Sequence, residues 1–242
     1  MNFVKPLFRR KKNILVWAKV RFGSLLAHML FESGNGKFGS IMIFDPDTGK
    51  FYMFNADRNL AVIDRLSVPR VWREISLFLV GIGSTYGYAR NMISRELIRA
   101  GREPISVISP ASVISSTARV GLGCIVMPGV VVQHFVDIGN FVILNSGSTL
   151  EHEVSIGVGC HIMSNGVVNG RARINDFCSI GSNATIFPEV HVGTHAFIGA
   201  GAIVRKDIEP GDIVVGAEHR TIGVNSAQFD QHSVDTFFQM VS

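Results

Sequence analysis

The sequence predicts an α/β domain over residues 1–104 followed by a parallel β-solenoid over residues 105–210, and three observations carry that prediction. From Ile108 to Val204 every sixth residue is Ile, Val or Leu. Four residues after each of these stands a residue that is nearly always small or β-branched, as at Ser112, Ala118, Cys124, Val136, Cys160, Ala172, Ala196 and Ala202. Neither a helical period of 3.6 nor a strand period of 2 produces that pattern, whereas stacked units too small to fold alone do. Upstream of residue 105 the repeat is absent, and apolar runs alternate with helix-like stretches.

In the N-terminal part, Asn13–Trp17 reads as a strand, Ser24–Glu32 as a helix and Ser40–Phe44 as a second strand ending in Asp45-Pro46-Asp47. Ser76–Val80 is a further buried strand ending in Gly81-Ile82-Gly83. Arg90–Ala100 reads as an amphipathic helix closed by Gly101, and Pro104–Ile108 leads into the repeat. Such alternation predicts a small parallel sheet. Ligands of open α/β sheets sit beyond the carboxyl ends of the strands, which makes Asp45 and Gly83 candidate substrate-binding residues. A phosphate-cradling turn after the first strand would carry several glycines. Only Gly23 is present, with Lys19 and Arg21 to compensate by charge. The same domain could instead simply cap the solenoid and cover its open edge.

The repeat units run aliphatic, often Gly, two variable residues, small, variable, as in Ile156-Gly-Val-Gly-Cys-His and Ile198-Gly-Ala-Gly-Ala-Ile. Glycine after the aliphatic suits a turn, and the β-branched pairs between turns suit very short strands. Such hexapeptides resemble those of the left-handed parallel β-helix, in which three units make one triangular coil. The handedness comes from that resemblance, because parallel crossovers are otherwise right-handed. At the usual spacing of paired strands the prism would be about 27 Å long. Residues 211–242 form a C-terminal extension without a recognisable motif.

All three cysteines, Cys124, Cys160 and Cys178, fall on the small inward position, which suits compact core residues. Their odd number and the lack of CxxC speak against a disulfide framework or a zinc ribbon. The net charge of +4 is concentrated at the start: seven of the 23 basic residues lie within the first 24 residues, without an acidic one, leaving 16 against 19 acidic residues elsewhere. That segment suits a membrane surface or a phosphorylated ligand, and equally a solvated leader. The apolar stretch at 14–18 is too short for a signal peptide, and nothing approaches the length of a membrane span. A soluble cytoplasmic protein is expected, with peripheral membrane contact through the basic leader as an option. Nucleic acid is not expected as a partner.

Chemistry points to the histidines. His152 follows an inward aliphatic by two residues, which places it on the outside of the prism near a corner. Glu153 beside it can orient an imidazole and raise its basicity, as general base catalysis requires. His134 occupies the same position one coil below, and His161 lies half a coil further round. The run Val142-Ile-Leu-Asn-Ser-Gly-Ser-Thr-Leu-Glu-His-Glu-Val-Ser-Ile-Gly157 resembles the motif around the catalytic histidine of the hexapeptide-repeat acyltransferases of the sialic-acid O-acetyltransferase type. It is particularly similar to that of the N-acetyltransferases acting on nucleotide-linked 4-amino sugars. His161, Gly170 and the run from Ala196 to Ile208 match as well. The resemblance implies that His152 is the general base and Glu153 its orienting partner, and that Asn145 shapes the acceptor site. The Gly170 amide would meet the developing oxyanion, a donor worth about 10²–10³ in rate. It further implies that His161, Gly170, Ser182 and Ala200 line the path of acetyl-CoA, that the acceptor is a sugar, and that the assembly is a homotrimer with sites between prisms. No metal is expected. The chain departs from this family in the glycine-poor turn after the first strand. It departs again in Gly216-Ala217-Glu218-His219-Arg220, which lacks the usual proline. Two other readings use the same fold: a non-catalytic scaffold, and a hydratase similar to the γ-type carbonic anhydrases. The latter needs three convergent imidazoles, and the spacing of His191 and His195, or of His152 and His161, does not match it.

Overall fold

The computed structural model describes residues 12–34, 38–54, 60–216, 220–224 and 231–241. The leader 1–11, with most of the basic cluster, and residues 217–219 of the C-terminal motif lie outside the described residues.

The N-terminal unit is a six-stranded mixed sheet. Its strands are β1 (Lys12–Trp17), β2 (Phe38–Asp45), β3 (Lys50–Phe54), β4 (Leu60–Val62), β5 (Ile75–Val80) and β6 (Glu103–Pro104), in the order β4-β3-β2-β1-β5-β6. β1 is central and pairs in parallel with both β2 and β5. The expected parallel sheet is therefore real at its centre, but β3 and β4 add an antiparallel meander that the sequence reading missed. Alternation splits the side chains cleanly. Ile14 and Val16 face the same layer as α1 (Val20–Gly34). Leu15 and Trp17 face α2 (Val68–Glu74), α3 (Gly87–Arg99) and the C-terminal helix α4 (Gln231–Val241). Phe237 of α4 is fully buried among Trp17, Phe44, Phe51 and Trp72, so the chain's last helix completes the core of its first domain.

Two helices begin earlier than the sequence suggests. α1 starts at Val20 because the Asp45 carboxylate accepts the Val20 N–H at 3.0 Å, a cap supplied from another strand and invisible to local reading. α3 starts at Gly87, where the chain rests on the prism. A Cβ there would stand 2.0 Å from the carbonyl oxygen of Gly159, so only glycine permits the contact.

From Val107 onward the chain forms two-residue strands paired in parallel with the strand 18 residues away, as Ile125 with Ile143, Val131 with Thr149, and Asp137 with Ser155. Three flat sheets result, and the whole is a left-handed parallel β-helix. The aliphatic of each hexapeptide is the second residue of its strand. From Val126 onward these positions are buried, whereas Ile108, at the open first coil, is 37% exposed. The strand Asp212–Val215 extends the first face in parallel, and Arg220–Val224 closes it antiparallel.

The first residue of each strand points outward, and its character differs by face. On the first face Val107, Ile125 and Ile143 are buried in one continuous core with Leu26 and Ala27 of α1, so this face docks the N-terminal domain. On the second face stand Val113, Val131, Thr149, Val167, Thr185 and Ile203, half-buried or, for Val113, 66% exposed. The third carries Arg119, Asp137, Ser155, Arg173 and His191, all exposed.

Candidate active site

His152 sits on the corner between the second and third faces. Its Nδ1 lies 3.2 Å from Glu153 Oε1, and both side chains are about half exposed. The tautomer that donates Nδ1–H to Glu153 leaves Nε2 free to accept a proton. Glu153 is held in turn: Arg171 Nε lies 3.7 Å from the same oxygen, while Arg171 Nη1 bonds Glu189 at 3.0 Å. Glu153, Arg171 and Glu189 thus form a ladder of alternating charge up the corner, one per coil. That 18-residue spacing was present in the sequence and went unread.

Directly above His152 stands Gly170. A Cβ at that position would be 2.5 Å from Nε2, so the glycine makes room for the imidazole. The N–H of Gly170 carries no hydrogen bond among the described residues, while the neighbouring Arg171 N–H donates to the His152 carbonyl at 3.0 Å. A proton acceptor and an unpaired amide therefore line one groove of about 330 Å³, together with Glu151, Asn169, Pro188 and Glu189. An imidazole and an unused N–H lining one groove suit acyl transfer, in which a nucleophile loses a proton as charge develops on a carbonyl oxygen. His134, one coil below, bonds Ser115 and Thr117 at 2.9 and 3.2 Å.

The other expected residues do not join this groove within one chain. Asn145 lies on the corner between the first and second faces, where its Oδ1 accepts the Ser146 N–H at 3.0 Å. Ser182 and Ala200 stack one above the other on that same corner. His161 belongs to the first face, under the loop 81–84, with Gly83 close to its ring. It is 7% exposed, and neither ring nitrogen has a partner among the described residues. Burial, reinforced by the nearby Arg90 charge, lowers its pKa to about 4, so it is neutral at physiological pH. Asp45 is 4% exposed, and its second oxygen accepts the Asp47 N–H at 3.0 Å. Asp47 also pairs with Lys19 at 2.7 Å.

Arg90 is the residue that sequence reasoning passed over, because nothing local marks it. It is fully buried without a carboxylate partner among the described residues, and donates to the carbonyls of Phe141 (2.7 Å), Gly159 (2.7 Å), Cys160 (3.0 Å) and Ile82. Burial pulls its pKa down to about 10, which leaves it charged. It bolts α3 and the loop 81–84 to the prism. Burial pushes the Cys124 thiol up to about 11 and that of Cys160 well above its ordinary value, as expected of core cysteines. Among the described residues no three His, Cys, Asp or Glu side chains cluster as metal ligands, and no helix is long and apolar enough to cross a membrane.

No protein-family model and no curated protein matches the chain. Solved structures do. PerB from Caulobacter crescentus, solved with CoA and GDP-perosamine, superposes with a TM-score of 0.75 at 22% identity, covering 87% of this chain and 97% of that one. The fold is shared. The acetyltransferase domain of PglB from Neisseria gonorrhoeae gives 0.73 at 23% identity over 88% and 100% of the two chains. WeeI from Acinetobacter baumannii gives 0.73 at 21% over 87% and 100%.

Proposed function

We propose that this protein transfers an acetyl group from acetyl-CoA to a sugar, the acceptor being an amino sugar carried on a nucleotide, in the synthesis of surface polysaccharide or a glycoconjugate. The observation that carries the reading is the groove lined by both His152, with Glu153 at its Nδ1, and Gly170, whose amide is unpaired among the described residues. The likeness to PerB, whose structure holds CoA and a nucleotide sugar, supports it, as does the acetyl-CoA bound to the PglB domain.

In this mechanism the acceptor nitrogen attacks the thioester carbonyl while His152 Nε2 takes its proton. Glu153 stabilises the imidazolium that forms, and the Gly170 N–H donates to the carbonyl oxygen as it gains charge. The C–S bond then breaks, and the departing thiolate takes the proton back from His152. No acyl-enzyme is required, which agrees with three buried thiols of which two have raised pKa values.

Of the residues assigned to the coenzyme, Gly170 shares the corner of His152, whereas Ser182 and Ala200 stand one face away, on the corner that also bears Asn145 of the acceptor site. A groove containing both corners is therefore completed by a second copy of the chain. The outward β-branched and apolar residues of the second face, between the two corners, suit such packing in a closed trimer. The protein is to be assayed with acetyl-CoA against a panel of nucleotide-linked amino sugars. Release of CoA that requires an acceptor supports the reading, and failure with every acceptor, together with no coenzyme binding, overturns it.

A further inference from the structure

A second groove, of about 290 Å³, lies on the corner between the third and first faces, where α3 overhangs the prism. It is separated from His152 by the whole third face. Asn91 and Arg95, one turn apart on α3, form its upper wall. Asn91 is 7% exposed and lines the groove. Below it, Asn140 and Asp176 are fixed by the fold: Asn140 Oδ1 accepts the Leu122 N–H at 2.8 Å, and Asp176 Oδ1 accepts the Val158 N–H at 2.7 Å. Each is left with one polar atom not used by these turns, a donor on Asn140 and an acceptor on Asp176. Phe141 and Phe177 supply the apolar part of the wall. Their rings are set in place by glycines one coil below, because a Cβ on Gly123 or Gly159 would strike them at 2.4 or 2.8 Å. Arg90 ties α3 to the prism through the Phe141 and Gly159 carbonyls and so fixes the two walls relative to each other.

We infer that this groove is a binding site for a single saccharide ring, distinct from the transfer site. Its volume stands at the lower limit of ordinary ligand pockets, about 300–1,000 Å³, which suits one ring and not a larger ligand. Two amides, a carboxylate and a guanidinium offer donors and acceptors in the mixed pattern that vicinal hydroxyls require, while the phenylalanines meet the apolar C–H face of a pyranose. The opposite charges of Arg95 and Asp176 leave the site without the net positive charge that a phosphate ligand would select. The inference stands whether or not His152 is a base.

Saturation-transfer NMR on the full chain tests it, with glucose, galactose, mannose and N-acetylglucosamine as probes at up to about 50 mM, since so small a ligand binds at millimolar strength. At least one probe is expected to receive saturation, with Asn91→Ala and the exposed Arg95→Ala each weakening it at least about fivefold. Asp176→Asn, which keeps the Val158 cap, is expected to weaken it as well, and His152→Ala to leave it unchanged. Far-UV spectra of the variants establish that they are folded, and Arg95→Ala serves if the buried Asn91 variant is not. No saturation of any probe overturns the inference. So does a signal indifferent to these substitutions, or binding of inorganic phosphate alone through Arg95.

Discussion

Two histidines nine residues apart in one prism have opposite surroundings. His152 is on an exposed corner, with a carboxylate on one nitrogen and open groove on the other. His161 is sealed under the N-terminal domain beside a buried arginine, and neither ring nitrogen makes a well-formed hydrogen bond among the described residues. The same residue type on the same repeat is thus open to a groove in one place and buried as a neutral side chain in the other. The difference follows from position, since His161 stands on the face that the N-terminal domain covers and His152 on an exposed corner.

The largest effect is expected at the bolt that creates the sealed environment. Arg90→Ala leaves four carbonyls without their donor and a void at the domain junction, so denaturant unfolding should show a loss of more than about 3 kcal/mol. A loss below 1 kcal/mol, about the scale of an exposed contact, would mean that the domains are held otherwise.

His161 provides a pH signature of nearly the same size. Its folded pKa lies below its unfolded one, so between pH 6.5 and about 4 the unfolded chain binds a proton that the native chain refuses. Stability is thus intact above pH 6.5 and is lost as pH falls toward 4, by up to about 3 kcal/mol. Urea midpoints for the wild type and His161→Phe across that window should show a smaller fall in the variant, and parallel curves would contradict the sealed environment.

His152→Ala should keep the fold and lower acetyl transfer at least about a hundredfold, a magnitude typical of a lost general base. Near-normal turnover would remove His152 from that role. Gly170→Ala keeps every catalytic group but pushes a methyl against Nε2, and a fall of about tenfold in kcat is expected, smaller than that of His152→Ala. An unchanged rate would show that the imbalance between the two histidines does not depend on this glycine.

The prism was legible because its information is periodic: each aliphatic from Val126 to Val204 points inward, and the corner histidine with its glutamate followed from counting. The coil period of 18, which relates His134 to His152, also separates the three faces, where Arg119, Asp137, Ser155, Arg173 and His191 contrast with Val107, Ile125 and Ile143. The α/β domain was less so, because its decisive contacts join distant segments. Asp45 caps α1 from across the sheet, Gly87 is required by Gly159, and Phe237 fills the core of a domain that begins more than 200 residues earlier. For the same reason the burial of His161 under Gly83 could not be read from its place in the repeat.

The central claim, that the corner groove serves a coenzyme-dependent acyl transfer, is tested most directly by the thermal midpoint with excess acetyl-CoA, CoA or ATP. Ligand at about 100 times its dissociation constant adds about 2.7 kcal/mol, a shift of a few degrees. The account predicts that shift with acetyl-CoA and CoA and none with ATP. No shift at millimolar coenzyme would contradict it and leave the prism as a scaffold.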